Sequence, residues 1–171
     1  YVRMIFAGLL VNPEPSRGLM IGMGGGTISS VLTSIYPDLT LDLVEVDQAV
    51  VKVATDYFGF EKTHQIDVHV TDGRVFARRA LRRKEQYDLI ILDAFTGEYI
   101  PEHLMTVEFL ENIKGLLTPG GVVIANTFSG SSLYHHESAT YSAVFGPFFS
   151  LKMRGTGNRV IVASTAKLPT R

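Results

Sequence analysis

Leu19-Met20-Ile21-Gly22-Met23-Gly24-Gly25-Gly26-Thr27, taken with Leu43-Val44-Glu45-Val46-Asp47, decides how this chain is read. An apolar run breaks into a glycine loop, a helical pattern follows, and a second apolar run ends on an acid. Glycines let the backbone turn sharply and approach a ligand, while the N-terminal amides of the next helix point at the same spot. Glu45 lies about twenty residues beyond the loop, the distance at which α/β nucleotide sites hold ribose hydroxyls. The pattern predicts a nucleoside site, against the plainer reading of a tight turn in any doubly wound sheet.

The glycine spacing narrows the ligand. A dinucleotide fingerprint needs G-x-G-x-x-G/A, and here the third slot holds Thr27 counted from Gly22, or Ser29 counted from Gly24. What the loop offers is G-x-G-x-G, at Gly22, Gly24 and Gly26. That compact form suits an S-adenosylmethionine-type ligand, which carries ribose and adenine but no pyrophosphate.

With 171 residues and a net charge of -1, one domain over residues 1–171 with a sizeable core is expected. The charge balance implies no general nucleic-acid or acidic-membrane partner. Cysteine is absent, which excludes disulfides and thiol chemistry. The apolar run Ile5–Val11 is too short to span a bilayer and has no cleavage-site pattern, so a cytoplasmic protein is expected. Because the first residue is Tyr1 rather than Met, the native N-terminus is expected further upstream.

Along the chain, an opening helical segment is followed by the turn Pro13-Glu14-Pro15 and a strand over Gly18–Ile21. The next helix carries a stripe of Ile28, Val31, Leu32 and Ile35. A strand over Leu41–Val46 leads to a helix capped by Asp47, with a stripe of Val50, Val53, Ala54, Tyr57 and Phe58. Further strands are expected over Asp67–Thr71, Tyr87–Leu92 and Val122–Asn126, and helices over Arg74–Lys84, Thr106–Leu117 and Glu137–Val144. Tyr87–Leu92 is apolar on both faces, as a central parallel strand should be. At the end, Phe149–Arg154 and Arg159–Ser164 flank a Gly/Asn turn and read as an antiparallel hairpin. A doubly wound, mostly parallel, seven-stranded α/β sheet closed by such a hairpin is the Rossmann-like fold of class I methyltransferases.

In open α/β sheets, ligands bind outside the carboxyl ends of the strands. Four such ends offer polar groups here: the glycine loop, Glu45, Asp72-Gly73 and Asp93. Glu45 suits both ribose hydroxyls, with Asp47 as its competitor for that role. Asp72 is placed to accept from the exocyclic amine of adenine, or else Asp72-Gly73 is a plain turn. Asp93 falls nearest the reacting end of the ligand, or else caps the next segment of chain.

Ile21–Gly26, Val44–Asp47, Thr71–Gly73 and Tyr87–Ala94 occur in the order and spacing of the spermidine synthase family. The segment Asp93–Leu104 resembles the variant loop of its bacterial spermidine synthase-like members, and the likeness runs from Tyr1 to about Asn126. It implies transfer of an aminopropyl group from decarboxylated S-adenosylmethionine to a polyamine amine. Glu45 would then hold the ribose, Asp72 and Gly73 the adenine side, and Asp93 would assist deprotonation of the attacking amine. A small-molecule amine or other acceptor is the implied partner.

The chain also departs from that family. Gly25 stands where the family has an aspartate that binds the donor amine, and Thr96 stands where it has a second acid, with Glu98 nearby. The family's N-terminal strand domain is absent from this sequence. Without the loop aspartate, the carboxylate of intact S-adenosylmethionine meets less repulsion, so methyl transfer is the alternative activity, and a non-catalytic nucleoside binder a further one. Arg78, Arg79, Arg82, Arg83 and Lys84 interleave with Val75, Phe76, Ala80 and Leu81 and read as a solvated helix face. His135 and His136 lack a third ligand, so no metal site is expected. His103 reads as a helix-start residue before it reads as an acid/base, and Tyr99 is a candidate substrate contact. The apolar start and Phe145, Phe148 and Phe149 leave a homodimer open beside ordinary core packing.

Overall fold

The computed structural model describes residues 1–97 and 99–169. It opens with α1 (Val2–Ala7) and a 3₁₀ turn, then β1 (Arg17–Ile21), α2 (Thr27–Ile35), β2 (Thr40–Glu45) and α3 (Gln48–Tyr57). These are followed by β3 (Ile66–Val70), α4 (Gly73–Arg82), β4 (Tyr87–Leu92) and α5 (Val107–Leu116). The chain closes with β5 (Leu117–Phe128), α6 (Tyr134–Phe145), β6 (Phe149–Lys152) and β7 (Asn158–Ser164). The strands form one sheet in the order β3-β2-β1-β4-β5-β7-β6. Strands β1 to β5 run parallel, and β7 is antiparallel to both β5 and β6. The expected doubly wound sheet with its closing hairpin is the one observed.

Alternation along the central strands builds two apolar layers. Leu19 and Ile21 of β1, with Ile90 and Leu92 of β4, face α4, α5 and α6 through Phe76, Phe109, Ile113 and Tyr141. Met20, Leu89 and Ile91 point the other way, onto Ile5, Ile28, Leu32 and Phe60. Because both faces are covered, β1 and β4 are apolar nearly throughout, as parallel strands must be. The chain winds outward from β1 to β3 and then returns to place β4 on the other side of β1. Loops leaving β1 and β4 therefore diverge, and a crevice opens at their carboxyl ends.

Two helix stripes differ from expectation. In α2, Ile28 and Leu32 are buried, but Val31 and Ile35 are exposed, and Ser29 and Thr33 take the covered positions. Their hydroxyls are satisfied by the carbonyls of Gly26 (2.9 Å) and Ser29 (3.1 Å), so burial leaves no orphaned polar atom. In α3 only Ala54 is buried, while Val53, Tyr57 and Phe58 stand exposed. That helix lies over β2, toward the β3 edge of the sheet, where little surface covers it. Strand limits shift by one or two residues, and β5 extends from Leu117 to Phe128 through the Pro119-Gly120-Gly121 turn, where Gly120 takes φ +83°. Phe145 and Phe148 pack into the molecule's own core, whereas Phe149 is exposed. The arginine face of α4 is solvated as expected. No helix among the described residues is long and apolar enough to cross a membrane.

Candidate active site

The sheet's ladder continues one residue past its strands and lines up the site. The Gly22 amide donates to the Val44 carbonyl (2.8 Å), that of Asp93 to Ile21 (2.8 Å), and that of Thr71 to Glu45 (2.9 Å). The glycine loop, Glu45, Asp72 and Asp93 thus share one edge, around a cavity of about 440 Å³. Gly22, Gly24, Glu45, Asp72, Gly73 and Asp93 all line it, as do Tyr1, Thr96 and His103.

The glycines serve different ends. Gly22 sits at φ +94°, and a Cβ there would collide with the Asp93 carbonyl, so two strand ends meet only because it has no side chain. Gly24, at φ +53°, has open space where its Cβ would be and faces the cavity. Gly26 is placed apart from the cavity wall: it begins α2 at φ +78°, and a Cβ would meet the Phe60 ring at 2.5 Å. Its demand is steric, set by the close approach of Phe60 to the loop. Gly73 packs on Ile21 just where α4 starts.

Glu45 is 9% exposed, and its two oxygens accept from the amides of Met23 (3.1 Å, Oε2) and Asp47 (3.1 Å, Oε1). Each bond consumes one acceptor position and fixes the carboxylate plane, leaving capacity for a pair of vicinal hydroxyls. Asp47 is occupied elsewhere, capping α3 by accepting from the Ala49 amide (2.8 Å). Of the two acids, only Glu45 lines the cavity.

Asp72 caps α4, accepting from the Val75 amide (2.9 Å) through Oδ1, while Oδ2 meets His103 Nε2 at 2.7 Å. Partial burial works to raise its pKa, but the Val75 and His103 hydrogen bonds outweigh that and hold it below the usual carboxylate range. His103 stands on the 3₁₀ turn Glu102–Leu104, and Arg74 donates to its carbonyl (3.1 Å). The residue read first as a helix start is therefore a partner of Asp72.

Asp93 is half-buried, and burial pushes its carboxyl up to about 6, against the hydrogen bonds from Asn126 and Tyr1 that pull it down. Asn126 Nδ2 donates to Oδ1 (2.8 Å), and Asn158 Nδ2 in turn donates to Asn126 Oδ1 (3.0 Å), which fixes the orientation of that amide. The Tyr1 hydroxyl reaches Oδ2 at 3.4 Å, and burial, with the Asp93 charge beside it, raises the phenol. Tyr1, His103 and Asn126 were not tied to these acids by sequence reasoning. Only Asn126 had a readable signal, as the last residue of an expected strand beside the one ending at Asp93. Tyr99 is exposed, with its amide and carbonyl paired to Thr96. Glu98 lies outside the described residues.

Away from the cavity, Asp42, Asp67 and His69 cluster closely enough to suggest metal ligands. The group is already satisfied: His69 bonds Asp42 (2.6 Å), the Tyr87 hydroxyl donates to Asp42 (2.9 Å), and Arg17 and Lys62 pair with the acids. Those cations make it an ion-pair network of β-strand side chains.

Fold and site together define an α/β protein of the class I methyltransferase architecture, with a cavity at the carboxyl edge of its sheet. The family model for the spermine/spermidine synthase domain matches residues 1–150, and the chain belongs to that family. It is 52% identical over its whole length to a polyamine aminopropyltransferase of Vibrio vulnificus, of which it spans 58%. Among solved structures, human methyltransferase-like protein 13 in complex with SAH superposes with a TM-score of 0.88 at 28% identity, over 95% of this chain and 80% of that one. Spermidine synthase from Thermotoga maritima gives 0.77 at 25% identity, over 97% and 60%.

Proposed function

We propose that the chain carries the donor site and the proton acceptor of an aminopropyltransferase. The cavity takes the nucleoside of decarboxylated S-adenosylmethionine, with Glu45 on the ribose hydroxyls, Asp72 on the adenine amine, and the open face of Gly24 toward the ligand. The observation that carries the reading is Asp93: a half-buried carboxylate, oriented by Asn126, ionising at about 6 at the reacting end of that cavity. An acceptor amine attacks the aminopropyl carbon bonded to sulfur. The new C–N bond forms as the C–S bond breaks, its electron pair neutralises the sulfonium, and the released thioether is methylthioadenosine. The proton lost by the amine goes to Asp93. A base with a pKa near the working pH suits that transfer, and the displacement otherwise needs mainly alignment.

Methyl transfer from intact S-adenosylmethionine is the second reading. Two observations favour it: Gly25 leaves the loop without an acid to repel the donor carboxylate, and the methyltransferase-like protein 13 fold superposes closely. Calorimetric titration with both donors, followed by product analysis with amine acceptors, separates the two. Tighter binding of the decarboxylated donor and methylthioadenosine as product are expected. S-adenosylhomocysteine as the product would replace the first reading by the second, and heat from neither donor would end both.

A further inference from the structure

A narrow slot of about 30 Å³ adjoins the nucleoside cavity, sharing Ile21, Ala94 and Leu104 with it. It runs past Asn126, whose amide holds Asp93, to Glu137 and Tyr141 on α6. Glu137 also lines a wider groove of about 440 Å³, beside Ile100 and Leu133, so it borders both the slot and that groove. The residue is only 5% exposed, yet its Oε2 has no hydrogen-bond partner among the described residues. Leaving a carboxylate oxygen buried without a donor is costly, and native structures keep few such atoms.

Arg159 explains how the charge is tolerated but not what the oxygen is for. This fully buried guanidinium lies 4.0 Å over the Tyr134 ring and spends NH1 on the Tyr134 carbonyl and the Ser138 hydroxyl. Burial raises the Glu137 carboxyl, and the charge of Arg159 and a hydrogen bond from Thr127 work against that rise, leaving Oε2 as the oxygen without a partner. Nε and NH2 of Arg159 also lack partners among the described residues, but the arginine lines neither slot nor groove. Within the slot, Glu137 is the charged group. The slot's size admits a water-sized group such as an ammonium or a methylene chain, and excludes an aromatic amine or a peptide.

We propose that Glu137 anchors the distal ammonium of a linear aliphatic diamine while its proximal amine lies at Asp93. This rests on the aminopropyl-acceptor reading and assigns the residue that selects a diamine over a monoamine. The test is calorimetric binding of 1,4-diaminobutane and 1-aminobutane to the full chain loaded with methylthioadenosine, for wild type, Glu137→Gln and Glu137→Ala. The wild type is expected to bind the diamine at least ten-fold more tightly. Both substitutions should abolish that gap by weakening the diamine alone, with monoamine and nucleoside affinities moving less than two-fold. Equal wild-type affinity for the two amines, or a gap that survives in Glu137→Gln, overturns the proposal. Parallel loss of nucleoside affinity in both variants also overturns it, by showing a structural role. Product formation from the decarboxylated donor by the wild type is scored separately. A wild type that forms product without preferring the diamine defeats only this assignment, whereas one that forms none defeats the aminopropyl reading.

Discussion

Asp93 meets opposing demands. Folding half-buries a carboxylate whose pKa in an unfolded chain is about 3.9, and the protein leaves it ionising at about 6. The penalty on its charged form is absent below about pH 4, grows as pH rises, and is complete above about 6. Asp93→Asn keeps the shape and the bond from Asn126 but removes the carboxylate proposed above as proton acceptor. At pH 7.5 it should stabilise the protein by about 3 kcal/mol, a gain that disappears by about pH 4 in denaturant titrations. Activity should fall by about 10²- to 10⁴-fold, with donor affinity nearly unchanged. The same titration sets the activity profile: wild-type kcat/KM should rise through about pH 6 as Asp93 ionises, and an acid limb that persists in Asp93→Asn would assign it to another group. The position of this acid was legible because an apolar run ended on it. Its neighbours were not legible, since Tyr1 and Asn126 lie 92 and 33 residues away along the chain.

The junction of β2 and α3 places two acids two residues apart and gives them separate work. Glu45, last in its strand, turns into the cavity and is fixed by loop and helix amides, whereas Asp47 closes the first turn of α3. Asp47→Ala should therefore lower stability by about 1 kcal/mol and leave donor affinity within about two-fold. Glu45→Ala should weaken the donor by at least about ten-fold, as expected for losing a charged hydrogen-bond acceptor. Calorimetry and thermal denaturation of the two variants check the division, and equal loss of donor binding in both would refute it. Helix positions themselves were readable from the 3.6-residue rhythm and the caps. Which apolar residues a helix buries was less so: Val31, Ile35, Tyr57 and Phe58 fit the rhythm but face solvent. Periodicity describes one helix, while burial depends on how much sheet lies beneath it.

Across the molecule, Asp88 joins the start of β1, β4 and the turn within β5. Its Oδ2 accepts from the Ser16 amide (3.0 Å), the Ser16 hydroxyl (2.6 Å) and the Arg17 amide (3.1 Å), and Oδ1 accepts from Thr118 (3.0 Å). Burial alone would raise its pKa, but these donors win and lower it. The stabilisation is thus complete above the unfolded value near ~3.9 and is lost as pH falls through the lower folded value. Asp88→Asn should cost about 1–3 kcal/mol at pH 7, and the difference from wild type should shrink in strong acid; a pH-independent difference would exclude this latch. Strand positions, the glycine turn and the acids that end the strands were already written in the order of residues. A parallel sheet carries every carboxyl end to one edge, so local pattern is enough to place Gly22, Glu45, Asp72 and Asp93 together. The partners that tune those acids came from packing: His103 on Asp72, Tyr1 and Asn126 on Asp93, and Arg159 beside Glu137. Contacts between residues so far apart leave no local signature, because they depend on how helices and loops settle against the finished sheet.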